Sequence, residues 1–110
     1  MEITEGVRFD SLGLSPEIMR ALEKRNLTTS TPVQAGCIPP MMDWQDVIAK
    51  APTGTGKTFA FGIPMVEHID PENDAVQGLV LAPTRELAIQ IMNELRDLCE
   101  FKEGVRAVVL

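Results

Sequence analysis

The stretch Ala51-Pro52-Thr53-Gly54-Thr55-Gly56-Lys57-Thr58 follows the apolar run Val47-Ile48-Ala49 and opens into a helical pattern from Phe59 to Ile69. A strand, a glycine-rich turn and a helix in that order form a cradle for phosphate. Gly54 and Gly56 permit backbone angles that a Cβ forbids, so the N–H groups of the turn, those of Thr53 and Thr55 included, can converge on one anion. The positive end of the following helix adds to the same field. Lys57 supplies a flexible cation for the outer phosphates, and the Thr58 hydroxyl is placed to complete the shell of a phosphate-bound Mg²⁺. A flexible Gly/Thr loop with one surface lysine is the plainer reading; the strand before it and the helix after it favour phosphate binding.

Downstream, Gly78-Leu79-Val80-Leu81-Ala82 reads as a second strand, buried on both faces as in parallel sheets. Pro83-Thr84-Arg85-Glu86 then turns the chain into a helix whose apolar stripe is Leu87, Ile91, Leu95 and Leu98. In open α/β sheets ligands bind beyond the C-terminal ends of the strands, which puts Thr84 and Arg85 on the same rim as the phosphate loop. A helix cap and an exposed charge account for the same two residues without a ligand. Val105 to Leu110 is a third strand candidate, after Gly104. Pro64 falls inside the helix that follows the phosphate loop and should bend it rather than end it. His68 near its end has no second metal-type ligand beside it and reads as a surface residue.

Upstream, Leu14-Ser15-Pro16-Glu17 predicts a helix start, with Ser15 as cap, Pro16 in the first turn and Leu14 stapled onto Met19. Ile18, Met19 and Leu22 form its apolar face, and Asn26 suits a left-handed stop. Thr31-Pro32-Val33-Gln34 has the spacing of a capping box, in which Gln34 reaches back to the Thr31 N–H. That helix should end or bend near Pro39-Pro40. Met41, Met42 and Trp44 are expected to pack under the first strand, Asp46 to Lys50. Phe9 stands alone among polar and glycine residues and by itself reads as a hydrophobic anchor.

Composition narrows the function classes. The 110 residues, 45% hydrophobic, suit one small core. A net charge of -6 repels polyanions over the molecule as a whole, so any nucleic-acid contact must be local. Cys37 and Cys99 fit no metal-ligand spacing, nothing resembles a secretory signal, and no run is long enough to span a membrane; the expectation is a cytoplasmic protein with reduced thiols. The order helix, helix, strand, helix, strand, helix, strand implies right-handed crossovers and an α/β fold with a parallel sheet.

Taken together these stretches resemble the beginning of a DEAD-box RNA helicase, over nearly the whole chain. Asn26 to Gln34, ending in Ser30-Thr31-Pro32-Val33-Gln34 with Phe9 upstream, is similar to the family's Q motif. Ala51 to Thr58 is similar to its phosphate loop, and Pro83-Thr84-Arg85-Glu86-Leu87-Ala88 resembles motif Ia. The resemblance implies a three-layer, RecA-like P-loop fold, with residues 1–45 as a helical Q-motif region and 46–110 as a partial ATP-binding core. It implies ATP and Mg²⁺ as cofactors and RNA as partner. By position, Gln34 would read the adenine edge, Phe9 would stack near the base and Thr29 would help hold the glutamine. Residues 53–58 would take the phosphates, with the metal at Thr58, while Pro83, Thr84 and Arg85 would touch the RNA backbone. An amide can pair a donor and an acceptor with N6 and N7 of adenine, a pattern guanine lacks.

The sequence also departs from the family pattern. Asn26 and Leu27 stand where Gly-Phe is usual, Pro52 where Gln is common, and Trp44 at a turn position that usually holds Gly. The Asp-Glu-Ala-Asp and Ser-Ala-Thr motifs are not among these residues, nor is a second helicase domain. The expectation is therefore a parent ATP-dependent RNA helicase, and a 110-residue piece of it that neither hydrolyses ATP nor unwinds RNA by itself. With intervening strands missing, the sheet should close by direct pairing or recruit a second copy through its open edges. Another superfamily 2 ATPase, and a stand-alone nucleotide-binding module, are the alternatives.

Overall fold

A computed structural model describes residues 6–51 and 56–110. Four α-helices organise it: α1 (Pro16–Lys24), α2 (Pro32–Met42), α3 (Lys57–His68) and α4 (Arg85–Cys99), preceded by a single 3-10 turn at Phe9–Ser11. α2 packs on α3, α3 on α4, and α4 on α1. The core they share contains Phe9, Ile18, Leu22, Ile38, Ile63, Val66, Leu95 and Leu98.

Local chemistry explains where the helices begin. The Ser15 hydroxyl accepts from the Ile18 N–H, with Pro16 in the first turn. Thr31 and Gln34 form a complete capping box, and the Thr84 hydroxyl accepts from the Leu87 N–H at 3.1 Å. Asn26 stops the first helical region at φ 58. Gly62 sets how closely α3 and α4 approach: a Cβ there would stand 2.8 Å from Leu95 Cδ2 and 3.2 Å from Leu98 Cδ1.

α2 runs through Pro39 and Pro40 and ends at Met42, two residues beyond them, so the helix does end near the prolines. The prolines lack only donors, and their carbonyls still accept, Pro39 and Pro40 from the Asp43 N–H and Pro40 also from the Gln45 N–H at 2.9 Å. Two other expectations need correction. Trp44 is not a packing residue under a strand; it is 76% exposed, at φ 62. Its indole stacks on the His68 ring, with centroids 3.6 Å apart and planes 7° apart. His68 is accordingly half-buried rather than free at the surface.

The largest correction concerns the sheet. Among the described residues no strand forms; the one β-bridge is antiparallel, between Arg8 and Thr29. The segments 46–51, 78–82 and 105–110 lie outside helices and carry no strand pairing among the described residues, so the pairing expected of a three-strand parallel sheet is not confirmed there. The expectation of burial on both faces also fails. Val80, Val105 and Ala107 pack on the helices, whereas Leu79, Leu81 and Val108 are 69%, 85% and 70% exposed. The period-two pattern is there, with one face covered, but a strand also needs a neighbour about 4.8 Å away to take its N–H and C=O groups.

Candidate functional site

The site is built around the N-terminus of α2. Gln34, at the third position of that helix, is 4% exposed. Its Oε1 accepts from the Thr31 N–H at 2.9 Å, and its Nε2 donates to the Gly56 carbonyl at 3.1 Å. Those partners fix the amide's orientation. An amide has two donors and two acceptor lone pairs, so one of each remains after both bonds are made. Gln34 thus caps its own helix and also ties that helix to the residue from which α3 starts.

Gly56 is required there for two reasons. Its φ of 80 lies in the left-handed region, and a Cβ would collide with Gln34 Nε2. The glycine was legible in the sequence as a phosphate-loop residue; its contact with Gln34, 22 positions away, was not. Lys57 opens α3 and is exposed, and Thr58 follows it, half-buried. Thr53, Gly54 and Thr55, the remaining loop residues, lie outside the described residues.

The segment bearing Phe9 is sewn to the one bearing Thr29. The Phe9 N–H donates to the Thr28 carbonyl at 3.0 Å, and the Ser30 N–H donates to the Val7 carbonyl at 2.7 Å. Buried Ser30 adds its hydroxyl to both polar groups of Val7, accepting from its N–H at 3.0 Å and donating to its carbonyl at 2.8 Å. Nothing in the sequence singled out Ser30 for this role, because its partner is 23 residues away. Phe9 itself is 1% exposed, its ring inside the core, while Thr29 is exposed. Pro83, Thr84 and Arg85 are exposed at the start of α4, where the Thr84 hydroxyl is engaged as cap.

A Mg²⁺ ion in this setting would have Thr58 as its protein ligand. Among the described residues there is no group of three or more His, Cys, Asp or Glu side chains able to hold a metal. One hydroxyl beside a lysine suits a cation that keeps most of its shell as water and phosphate oxygen. The helix dipole and Lys57 favour the phosphates that would bring it.

Sequence and structure comparisons agree with this geometry. The family model for DEAD/DEAH box helicase matches residues 31–110. The chain is 56% identical over 87 residues to the DEAD-box ATP-dependent RNA helicase CshA of Geobacillus kaustophilus, which covers 79% of this chain and 19% of the relative. It is 44% identical over 102 residues to the ATP-dependent RNA helicase DeaD of Escherichia coli K12, covering 93% of this chain and 16% of that protein. A crystal structure of a DEAD box protein from the hyperthermophile Methanococcus jannaschii superposes with a TM-score of 0.82 at 34% identity, over 91% of this chain and 27% of that one. Dbp5 of S. cerevisiae bound to RNA and ADP BeF3 gives 0.83 at 32% identity, over 87% and 25%. The chain therefore spans less than a third of the length of these relatives, and it belongs to the DEAD/DEAH box helicase family.

Proposed function

We propose that the chain is the adenine- and phosphate-binding part of an ATP-dependent RNA helicase, with the finer fold a RecA-like parallel sheet. The observation that carries this reading is the Gln34–Gly56 hydrogen bond. It joins the Q motif to the end of the phosphate loop, so a base held at Gln34 and phosphates held at Lys57 would share one junction. Gln34 uses its spare donor and acceptor on the adenine edge, Thr29 helps hold the glutamine, and Phe9, whose ring lies in the core, anchors the segment rather than stacking near the base. Residues 53–58 cradle the phosphates. Bound Mg²⁺ would neutralise phosphate charge, with Thr58 as its protein ligand. Pro83, Thr84 and Arg85 rest on the RNA backbone, which fixes the strand without reading sequence.

The groups needed for hydrolysis, a metal-holding carboxylate and cations at the developing charge, are expected outside these 110 residues, in the rest of the first domain and in a second helicase domain. The stretch by itself binds and does not turn over. Residues 1–45 and 46–110 act as two parts of one domain, in the cytoplasm. The uncovered faces at 46–51, 78–82 and 105–110 accept further strands, from the parent protein or from a second copy. No described helix is long and apolar enough to cross a membrane.

Calorimetric titration with ATP, ADP and GTP in the presence of Mg²⁺, beside a Lys57→Ala control, tests the reading. Adenine nucleotides should bind, GTP should not, and the control should lose binding. Equal binding of GTP would remove the adenine role from Gln34, and unchanged affinity in Lys57→Ala would remove the phosphate role from the loop.

A further inference from the structure

The end of α3 remote from the phosphate loop carries a second surface with its own chemistry. A groove of about 290 Å³ is lined by Met41, Trp44, Met65, His68, Ile69 and Gln77, among others. At about 1.5 Å per residue, the lining from Pro64 to Ile69 puts this groove roughly 10–18 Å along α3 from the loop. Its volume falls just below the roughly 300–1,000 Å³ usual for small-molecule sites, which suits one or two side chains of a partner better than a cofactor.

Three observations identify the occupant. The first is Trp44. A bulky residue at φ 62 is held in a costly backbone conformation that glycine would adopt freely, and at 76% exposure it recovers little by burial. Its ring is held flat against His68 by stacking, and His68 Nε2 faces the Met42 carbonyl at 3.1 Å. An orientated, exposed indole is a platform for a cation or another planar group.

The second observation is charge. From Val33 to Ala49 and from Thr58 to Thr84 the sequence contains no Lys or Arg. Within these stretches Asp43 and Asp46 flank Trp44, while Asp70, Glu72 and Asp74 follow Ile69, and all five are exposed. The sixth acid, Glu67, is already paired with Lys102 at 3.1 Å. The third is preorganisation. The Asp70 N–H donates to Gln77 Oε1 at 2.8 Å, and Gln77 Nε2 donates to the carbonyls of Asp70 and Asn73 at 2.9 and 3.0 Å. These bonds fasten the acidic connector to the groove wall.

We propose that this groove docks a basic, arginine-bearing amphipathic segment of a partner protein, with a guanidinium stacked on the outer face of Trp44. Its apolar residues lie against Met41, Met65 and Ile69, whose flexible thioethers and aliphatic chain adapt to different shapes. A polyanion is repelled by the same five acids, so this is a protein-binding face, separate from the nucleotide and RNA surfaces.

Trp44 is the only tryptophan, so its emission reports the site directly. The probe is a peptide alternating arginine and leucine, titrated beside its lysine-for-arginine and glutamate-for-arginine counterparts and a single-stranded RNA oligonucleotide. The arginine peptide should change Trp44 emission saturably, more tightly than the lysine peptide, with affinity falling as salt rises. Asp43→Asn with Asp70→Asn should weaken binding about tenfold, as should Trp44→Gly followed by anisotropy of a labelled peptide. Trp44→Gly relieves the backbone strain and should leave helix content and nucleotide titration unchanged. Silence with the arginine peptide, equal affinity for the lysine peptide, an equal response to RNA, or full affinity in either variant would overturn the proposal.

Discussion

At residue scale, the two groups on which the site depends are Gln34 and Gly56, and each can be tested alone. Gly56→Ala must place a Cβ at φ 80 against Gln34 Nε2. A left-handed alanine costs roughly 1–2 kcal/mol before that collision is counted, so urea denaturation should show a loss of about 2 kcal/mol. Nucleotide affinity should fall with it. Gln34→Ala leaves the Thr31 N–H and the Gly56 carbonyl without their partner and should cost about 1–2 kcal/mol. Gln34→Glu retains the acceptor for Thr31 and loses the donor to Gly56. A buried carboxylate turned on that carbonyl carries its own cost, so Gln34→Glu should be no more stable than Gln34→Ala and, like it, should fail to bind adenine nucleotides, as urea denaturation and calorimetry on the two variants would show.

At the scale of elements, α3 is held at both ends. At its start is the Gln34–Gly56 bond; near its end, Glu67 accepts from the Ser15 N–H at 2.8 Å and the Ser15 hydroxyl at 2.6 Å, and pairs with Lys102. The Glu67 side chain is 7% exposed. Glu67→Ala would leave the Lys102 ammonium and the α1 cap without their acceptor, a loss of about 2 kcal/mol in urea denaturation. By contrast Lys24–Glu100 and Arg25–Asp97, which join α1 to α4, are exposed on at least one side and should each contribute under about 1 kcal/mol. Gly62 separates α3 from α4. Gly62→Ala gains roughly 0.5–1 kcal/mol of helix propensity against a small displacement of Leu95, and should be near neutral. Gly62→Val adds volume that the displacement cannot absorb and should cost about 2 kcal/mol; thermal denaturation of the pair distinguishes close approach from simple propensity.

At the scale of the whole molecule, stability should fall in alkali through two buried thiols. Burial pushes both Cys37 and Cys99 above the ordinary thiol value of 9.0, in Cys99 against an opposing pull from Lys102. The unfolded chain then loses these protons first, so their contribution is intact below pH 9 and is lost as pH rises from there through the folded values. Urea midpoints measured from pH 8 to 10.5 should decline, and less steeply in a Cys37→Ala, Cys99→Ala variant. The helix starts were legible in the sequence because caps are local chemistry: Ser15-Pro16, Thr31 with Gln34, and Thr84 each act within three or four residues. Their order and the motif spacing were enough to point to the family. The Gln34–Gly56 and Ser30–Val7 bonds, the exposure of Trp44 and the absence of paired strands among the described residues were decided by tertiary structure. Each depends on partners that chain distance conceals. A period-two apolar run specifies which side chains face the helices, and only a neighbouring backbone at ladder distance turns it into a strand.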